Sequence, residues 1–310
     1  MNLFYKKKCP IILLTLLLFF SKTCIAQDYR WWNAKHNWDG VTSWKDYIIT
    51  KPKYMGPNAL PVPDIKNGTI SKKAYFQISL EKHTSSGDKT ENLYTALFIP
   101  LYSHRVGLNI NIIPFEHYKT DTITRDIRFA RNITGEGFAV GDFYIGTFIQ
   151  LIENNENLPD VLLTVNLKTA SGSKMSDARY TDTPGYFFDL SFGKKFCLNK
   201  QKMHFIKPGA MIGFYSWQNQ GNGQQQNDAF LYGLGIDFIF QKFDITNSIG
   251  GYIGYLGNGD KPVVYRTLLR NKSNKIFNYE LKFQLGLHDY QYTSLRLSCI
   301  IDVTKLLKNH

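Results

Sequence analysis

Residues 140–194 read VGDFYIGTFIQLIENNENLPDVLLTVNLKTASGSKMSDARYTDTPGYFFDLSFGK. Apolar and polar side chains alternate in three runs of this stretch, and polar segments at 153–160 and 170–183 separate the runs. Side chains on a β-strand point to opposite faces with a period of two, so each run has one apolar face and one polar face. The apolar faces are rich in aromatic residues, and no helical segment follows to cover them. This pattern is typical of a transmembrane β-barrel, apolar towards lipid and polar towards the lumen.

The same alternation continues on both sides of this stretch, from residue 74 to residue 303. It gives about twelve runs of roughly ten residues, and a tilted strand of that length crosses a bilayer. If the chain enters from the periplasm, the odd-numbered connections should be the long extracellular ones. The long connections 119–136, 170–183 and 218–227 all hold odd places, and short turns near residues 104, 198, 241 and 271 hold even places. We therefore predict an all-β, antiparallel transmembrane barrel.

Residues 1–26 have the form of a cleaved secretory signal peptide. Lys6, Lys7 and Lys8 precede an apolar core at 11–20, and Cys24-Ile25-Ala26 supplies small residues at the cleavage positions, with the cut after Ala26. A lipoprotein signal around Cys24 is the alternative. After Ala26, no stretch reaches the roughly 18 uninterrupted apolar residues that a spanning helix needs. The mature chain is thus predicted to be exported, either as a barrel in the cell outer membrane or as a soluble β-protein.

The chain is basic, with a formal net charge of +12. The signal peptide holds four lysines and no acid, so its removal leaves +8. The remaining basic residues are scattered rather than clustered, which favours anionic lipid and argues against nucleic acid as a partner. Only Cys197 and Cys299 remain after cleavage, and in the predicted strand order they are too far apart for a disulfide. No Cys/His spacing resembles a metal site, and we predict neither a metal nor a cofactor.

Residues 27–73 differ in composition from the predicted barrel. They hold four of the five tryptophans, followed by four prolines, and show no period-two alternation. An exposed tail has nothing to bury large aromatic residues against, so we predict that this segment folds into the lumen as a plug. A position at the membrane interface is the alternative. The candidate plug residues are Trp31, Trp32, Trp38 and Trp44. The predicted division is thus signal peptide 1–26, tryptophan-rich segment 27–73, barrel 74–304 and C-terminal tail 305–310.

The strand parity predicts which charged side chains face the lumen. They are Asp142, Asp189, Asp237, Asp244 and Glu280, together with Lys168, Arg266, Arg270, Lys282 and Arg296. Charges in a protein-lined cavity are costly unless they are paired, and this balance of acids and bases allows pairing. Both a lumen closed by ion pairs and a narrow polar channel are compatible with it. Small residues on the same face leave room for an inserted segment or a small substrate; they are Gly233, Gly235, Gly250 and Gly254.

An enzymatic alternative starts from three residues near a predicted extracellular turn. Some outer-membrane barrels are lipid hydrolases, with a Ser–His pair and a third polar group near the outer rim. Here His288 and Ser294 flank the turn, and Glu280 lies below His288. The His-x-Ser spacing of such enzymes is missing, and the other histidines form no cluster. The sequence therefore favours a protein that is not an enzyme, and no catalytic residue is assigned.

Several short motifs between residues 135 and 194 resemble a known barrel family. They are Gly135-x-Gly-x-x-Val-Gly-Asp142, Leu158-Pro159-Asp160-Val161, Leu167-Lys168-Thr169-Ala170-Ser171-Gly172 and Asp189-Leu190-Ser191-Phe192-Gly193-Lys194. This arrangement is similar to the outer-membrane proteins grouped with the meta-pathway phenol-degradation protein. The resemblance implies a barrel that carries small, often aromatic or hydrophobic molecules across the outer membrane. The motifs are structural rather than catalytic, and they leave the tryptophan-rich segment uncovered.

Taken together, the sequence predicts a monomeric outer-membrane barrel of about twelve strands in contact with lipid. Its predicted function is that of a porin-like channel for passive uptake or export of small molecules, plugged or gated by residues 27–73. A membrane-embedded lipid hydrolase and a closed structural or partner-binding barrel are the alternatives.

Overall fold

The computed structural model describes residues 28–101, 105–202, 204–219, 225–272 and 275–308. The predicted signal peptide lies outside the described residues. The chain forms two compact units that divide between Val41 and Thr42, so the predicted segment 27–73 falls partly in each. In the first unit, helix α1 covers Arg30–Lys35, and the Trp32 ring lies 5.1 Å from the His36 ring.

The second unit contains one large antiparallel sheet. Its strands are β1 Tyr75–Ser85, β2 Asp88–Pro100, β3 Val106–Thr120, β4 Glu136–Ala139, β5 Tyr144–Ile152, β6 Asp160–Lys168, β7 Gly185–Gly193, β8 Phe196–Asn199, β9 His204–Gln218, β10 Gln226–Ile239, β11 Phe243–Gly254, β12 Val263–Asn271, β13 Phe277–His288 and β14 Tyr292–Asp302. Apart from β4 and β8, each strand pairs with the next long strand along the chain, and β1 pairs with β14, so the sheet closes on itself. The short strand β4 shares its partner β3 with β5, and β8 pairs only with β9. The wall of this barrel therefore has twelve strand positions, which confirms the predicted fold class.

The predicted alternation separates the two faces of the wall. Leu80 pairs with Leu297 on one side and with Leu93 on the other, and its side chain is 68% exposed on the outer face. Its chain neighbours Ser79 and Glu81 are buried on the inside. A closed sheet leaves no unpaired edge, which is the condition for a β-structure in lipid. Among the described residues, no helix is long and apolar enough to span a membrane.

The first strands are longer than the sequence predicted. The first two runs of apolar alternation in the sequence cover 74–81 and 91–101, but β1 continues to Ser85 and β2 begins at Asp88. Beyond Glu81 the outward positions carry polar side chains, so the apolar alternation stops while the backbone pairing continues. The start of the predicted tail 305–310 lies in helix α3, which covers Val303–Lys308.

The connections differ at the two ends of the barrel. We call the end where β1 begins and β14 ends the terminal end, and the opposite end the far end. The far end carries residues 121–135, which contain helix α2 Thr122–Ile127, and residues 169–184, which contain a 3-10 turn at Met175–Asp177. The Asp121 side chain caps α2 by accepting a hydrogen bond from the Thr124 amide at 2.7 Å.

Residues 42–73, here called the inner segment, run inside the barrel wall. They form 3-10 turns at Trp44–Tyr47 and Pro52–Tyr54, and irregular backbone elsewhere. Met55, Ala59 and Leu60 are buried in one apolar cluster with the inward-facing Tyr252 and Trp217. The segment has few regular hydrogen bonds of its own, so its backbone groups need partners on the wall.

Candidate functional site in the barrel lumen

Specific hydrogen bonds hold the inner segment against the wall. The Tyr252 hydroxyl donates to the Leu60 carbonyl at 2.8 Å, and Trp217 Nε1 donates to the Thr50 carbonyl at 3.2 Å. Trp217 is the one tryptophan outside the predicted plug region, and it lies fully buried beside the segment. These bonds satisfy segment carbonyls that no secondary structure satisfies, so they fix the position of the segment.

One side chain of the segment fills the space beside Gly233 and Gly250 on the inner wall. A Cβ atom added at Gly233 would lie 2.8 Å from Ile65 Cγ1, and one added at Gly250 would lie 2.5 Å from Ile65 Cδ1. Both distances are shorter than the contact distance between two carbon atoms. Ile65 therefore occupies the space that the absence of side chains on β10 and β11 creates.

A buried ion-pair network lies at the far end. The Arg179 guanidinium donates from Nε to Glu116 Oε1 at 2.9 Å and from Nη1 to Asp88 Oδ2 at 2.8 Å. Arg128 donates to the same Asp88 oxygen at 2.5 Å, and Asn58 of the inner segment donates to Glu116 Oε2 at 2.8 Å. This network joins the loop 169–184, two wall strands and the inner segment, with its charges balanced and removed from solvent.

A second buried ion pair holds the loop 169–184 against the wall. Lys168 Nζ lies 2.9 Å from Asp142 Oδ2, and both side chains are completely buried. Lys168 Nζ also donates to Thr181 Oγ1 at 2.6 Å and to the Thr183 carbonyl at 2.8 Å. The Asp142 carboxylate accepts from the Gly172 amide at 2.6 Å. The two predicted residues therefore fasten a loop to the barrel wall.

A cavity of about 830 Å³ occupies the terminal end of the lumen. Its walls combine aromatic residues such as Tyr75, Tyr94 and Phe98 with the charged side chains of β12, β13 and β14. Residues 64–67 of the inner segment form part of its lining. A cavity of this size accommodates a small-molecule ligand. The lumen is thus roomy at its terminal end.

The predicted charged residues around this cavity are paired. Arg270 Nη2 lies 2.7 Å from Glu280 Oε2, Arg296 Nη2 lies 2.6 Å from Glu81 Oε2, and Lys282 Nζ lies 2.7 Å from Asp64 Oδ2. Arg266 donates from Nη2 to the Val62 carbonyl at 2.6 Å and from Nη1 to the Pro63 carbonyl at 3.1 Å. Three of these four basic residues, all except Arg270, are close to fully buried.

The remaining predicted acids bind partners on the segment or at the rim. Asp189 lies 2.7 Å from Lys66 Nζ, and Asp237 accepts from Asn67 Nδ2 at 2.5 Å and from Thr246 Oγ1 at 2.7 Å. Asp244 lies at the terminal rim, 3.1 Å from Lys272 Nζ. Several acids and bases chosen by wall parity therefore have partners outside the predicted set, and the inner segment supplies some of these partners.

Sequence reasoning missed many of the charged lumen residues. They are Lys51, Asp64 and Lys66 on the inner segment, Glu81, Asp88, Glu116, Asp160 and Lys207 on the wall, and Arg128 and Arg179 in far-end loops. The wall residues lie on the inward parity of their strands, except Glu116, which follows a register shift between β2 and β3. Continuing the alternation along each strand would therefore have found all of them except Glu116. The loop and segment residues carry no period, and their sequence gives no comparable signal.

The four candidate plug tryptophans do not form one group. Trp31, Trp32 and Trp38 belong to the first unit of the chain, and only Trp44 belongs to the unit that contains the barrel. Trp44 packs against the apolar cluster of the inner segment, and the Arg131 guanidinium lies 5.0 Å from its ring. The apolar part of the inner segment that faces the wall consists mainly of aliphatic residues instead.

The residues of the hydrolase alternative make other contacts. Ser294 is buried and donates to Glu81 Oε1 at 2.9 Å. His288 is exposed, with Nδ1 2.8 Å from the Lys261 carbonyl, and Glu280 is bonded to Arg270. Among the described residues, no hydrogen bond joins Ser294 to His288. The described part of the chain also contains no group of three or more His, Cys, Asp or Glu residues that could hold a metal ion.

Lys51 of the inner segment is a buried lysine. Burial lowers its pKa to about 8, and the negative charge of Asp260 opposes this only in part. Its Nζ donates to Asn219 Oδ1 at 3.3 Å and lies 5.5 Å from the centre of the Trp217 ring. Lys51 thus remains a cation near neutral pH, and among the described residues no carboxylate forms an ion pair with it.

The fold is similar to that of solved outer-membrane barrels. An outer membrane channel from Pseudomonas putida F1 aligns with a TM-score of 0.52 and 11% identity over 78% of this chain and 99% of the other. The KdgM porin aligns with a TM-score of 0.44 and 11% identity over 73% and 98%. The transport unit of the autotransporter AIDA-I from Escherichia coli aligns with a TM-score of 0.46 and 9% identity over 79% and 94%.

No protein-family model matches the chain, and no curated protein matches its sequence. The likeness to the Pseudomonas channel, at 11% identity, concerns the fold. The architecture is therefore that of an outer-membrane β-barrel.

Proposed function

We propose that this protein is an outer-membrane channel for small solutes and that the inner segment is its plug. The observation that carries the proposal is the cavity of about 830 Å³ at the terminal end, which lies inside a closed barrel and ends against the inner segment. The outer face of the barrel is apolar where the strands cross the membrane, with exposed side chains such as Leu80, Leu234 and Leu297. A polar cavity inside an apolar cylinder is the arrangement of a solute channel.

The contacts of the inner segment support its role as a plug. It is held by individual hydrogen bonds, by ion pairs such as Lys66–Asp189, and by the packing of Ile65. It contributes no strand to the barrel, so the wall keeps its complete ladder of hydrogen bonds if the segment leaves. The segment can therefore leave the lumen without breaking the hydrogen bonds between the wall strands, which is what a gate requires.

The proposal includes the finer predictions from the sequence. The chain is exported by a signal peptide cut after Ala26, and it is inserted in the outer membrane as a monomer. The motifs between residues 135 and 194 support kinship with the proteins grouped with the meta-pathway phenol-degradation protein, and with that kinship the transport of small, often hydrophobic solutes. N-terminal sequencing of the mature protein tests the cleavage position.

Single-channel recording in planar bilayers tests the channel and its plug together. The first comparison is between the mature protein and a variant that lacks residues 27–73. We expect the conductance to rise on deletion, because the deletion empties the middle of the lumen. Silence from both proteins, each shown to be folded by its heat-dependent mobility in detergent gels, would favour a closed structural or partner-binding barrel.

A crosslink provides a test that keeps the whole chain. A Cβ atom at Gly235 would lie 3.6 Å from Ile65 Cγ2, an ordinary contact distance, so cysteines at these two positions can be joined. We propose Ile65→Cys with Gly235→Cys, in a background with Cys197→Ser and Cys299→Ser. We expect openings to disappear when a short thiol crosslinker joins the pair, and the Ile65→Cys single variant serves as the control. Equal conductance before and after crosslinking would contradict the plug.

A further inference from the structure

Three cationic side chains meet on the inner wall beside the cavity. Lys282 and Arg296 are directly opposite each other in the register of β13 and β14. Arg266 on β12 is opposite Gln284, two residues along β13 from Lys282, and therefore faces the same side. Like charges at opposed positions destabilise a sheet, so this patch requires anions close to it.

The wall itself supplies one anion to this patch. Glu81 accepts from Arg296 Nη2 at 2.6 Å, from Gln284 Nε2 at 2.9 Å and from Ser294 Oγ at 2.9 Å. Its carboxylate is thus engaged with Arg296 and its neighbours. Among the described residues, no acidic side chain of the wall forms an ion pair with Arg266 or Lys282.

The second anion comes from the inner segment. Lys282 Nζ donates to both carboxylate oxygens of Asp64, at 2.8 and 2.7 Å, and Arg266 Nε lies 3.3 Å from Asp64 Oδ1. The Asp64 side chain is 59% exposed, whereas those of Lys282 and Arg266 are 7% and 6% exposed. Asp64 lines the cavity, so its carboxylate lies on the cavity side with the two cations behind it. A carboxylate that enters the cavity reaches these cations by replacing Asp64.

We propose that Arg266, Lys282 and Arg296 form a binding site for carboxylate solutes, and that Asp64 occupies this site in the closed channel in place of the solute. A carboxylate that displaces Asp64 frees the neighbouring part of the inner segment from the wall. The solute then promotes the opening of its own path. The inference rests on the proposed function, because it names the class of solute that the channel admits.

The mouth of the cavity has the charge distribution that such a solute needs. In the pair Arg270–Glu280 the arginine side chain is 51% exposed and the glutamate 6%. In the pairs Lys73–Asp302 and Lys272–Asp244 the lysine is also the more exposed partner. In these three pairs the basic side chain is thus the one that an incoming solute meets, so the mouth is more positive than equal numbers of acids and bases would make it. A positive mouth raises the local concentration of anions.

Calorimetric titration of succinate into the detergent-solubilised protein tests the site. A tethered carboxylate competes at an effective concentration in the millimolar range or above. We therefore expect Asp64→Asn to bind succinate at least about tenfold more tightly than the wild type. Lys282→Gln on the Asp64→Asn background should abolish this binding, and the uncharged succinamide should bind neither protein. Glu91→Gln removes an exposed carboxylate on the outer face, where it pairs with Lys82, and is the matched control, expected to keep the wild-type affinity.

Equal succinate affinity of the wild type and Asp64→Asn would overturn the proposal, and so would equal binding of succinate and succinamide to Asp64→Asn. The readout is separate from conductance. If Asp64→Asn binds succinate but the protein never conducts, the proposed channel function is contradicted and the binding site stands. If the protein conducts but Asp64→Asn does not bind succinate, only the binding site is contradicted. If Asp64→Asn does not fold, succinate must instead slow the crosslinking of Ile65→Cys with Gly235→Cys in the chain that keeps Asp64. No slowing relative to succinamide would then overturn the site.

Discussion

Ile65 of the inner segment occupies the space that a side chain at Gly233 of the barrel wall would fill, with Ile65 Cγ1 2.8 Å from the position of the missing Cβ atom. Glycine in a strand costs conformational entropy and contributes no packing. Here the segment provides the packing instead. The wall and the segment are thus complementary in shape at this point, because the glycine leaves room for Ile65 and Ile65 fills that room.

This relationship predicts that Gly233→Ala loosens the segment. Overpacking by one methyl group costs typically about 1–3 kcal/mol, and the segment yields because the wall is hydrogen-bonded on both sides. We expect faster proteolysis of the inner segment and more frequent channel openings. Ile65→Ala in the same chain should bring both readouts back towards the wild type. Gly235→Ala, where the nearest atoms lie 3.6 Å away, is the matched control. If the double variant shows proteolysis and opening frequencies no closer to the wild type than those of Gly233→Ala, the contact is refuted.

Tyr252→Phe should raise the frequency of opening without changing the open conductance. The variant loses the hydrogen bond to the Leu60 carbonyl, worth about 0.5–1.5 kcal/mol. A change of 1 kcal/mol shifts a two-state population by about fivefold. Single-channel dwell times measure the shift. Tyr279→Phe, on the exposed outer face, is the control. Unchanged dwell times in Tyr252→Phe would mean that this bond does not hold the plug.

Arg179→Met should strongly destabilise the far end. Removing one member of a buried ion-pair network leaves uncompensated charge and costs about 3–5 kcal/mol. Here Glu116 loses its arginine, and Asp88 keeps only Arg128. Denaturant unfolding in detergent measures the loss. Asp182→Asn in the same loop breaks the exposed pair with Lys45 and should cost about 0–1 kcal/mol. Similar losses in the two variants would show that the network adds no stability.

The stability of the docked inner segment should increase as the pH rises from about 8 to 10.5. Burial lowers the pKa of Lys51 to about 8, against an ordinary value of 10.5. Within this window the unfolded chain binds more protons than the folded one, so stability rises with pH. Resistance of the segment to proteolysis at pH 8 and pH 10 gives the comparison. Lys51→Met should remove the dependence, and Lys45→Met should retain it. A slope of the opposite sign in the wild type would contradict the assignment.

The barrel wall was predictable because a strand has a period of two. The outward positions of β10, such as Phe230 and Leu234, and the inward Asp237 follow from alternation alone. The prediction was wrong at the ends of β1 and β2, where polar residues on both faces remove the signal while the backbone pairing continues. It also treated the tryptophan-rich segment as one body, although the chain divides after Val41.

By itself, the sequence determined the closed antiparallel wall and which faces of its strands are apolar, because side-chain alternation is a local property of the backbone. It also placed charges such as Lys282 and Arg296 on the inner face. Only the tertiary structure decided their partners, since Asp64 lies more than two hundred residues away along the chain and on a segment without periodicity. The same holds for Ile65 against Gly233. Contacts between an irregular segment and a distant strand depend on how the chain closes in space, and no local pattern encodes them.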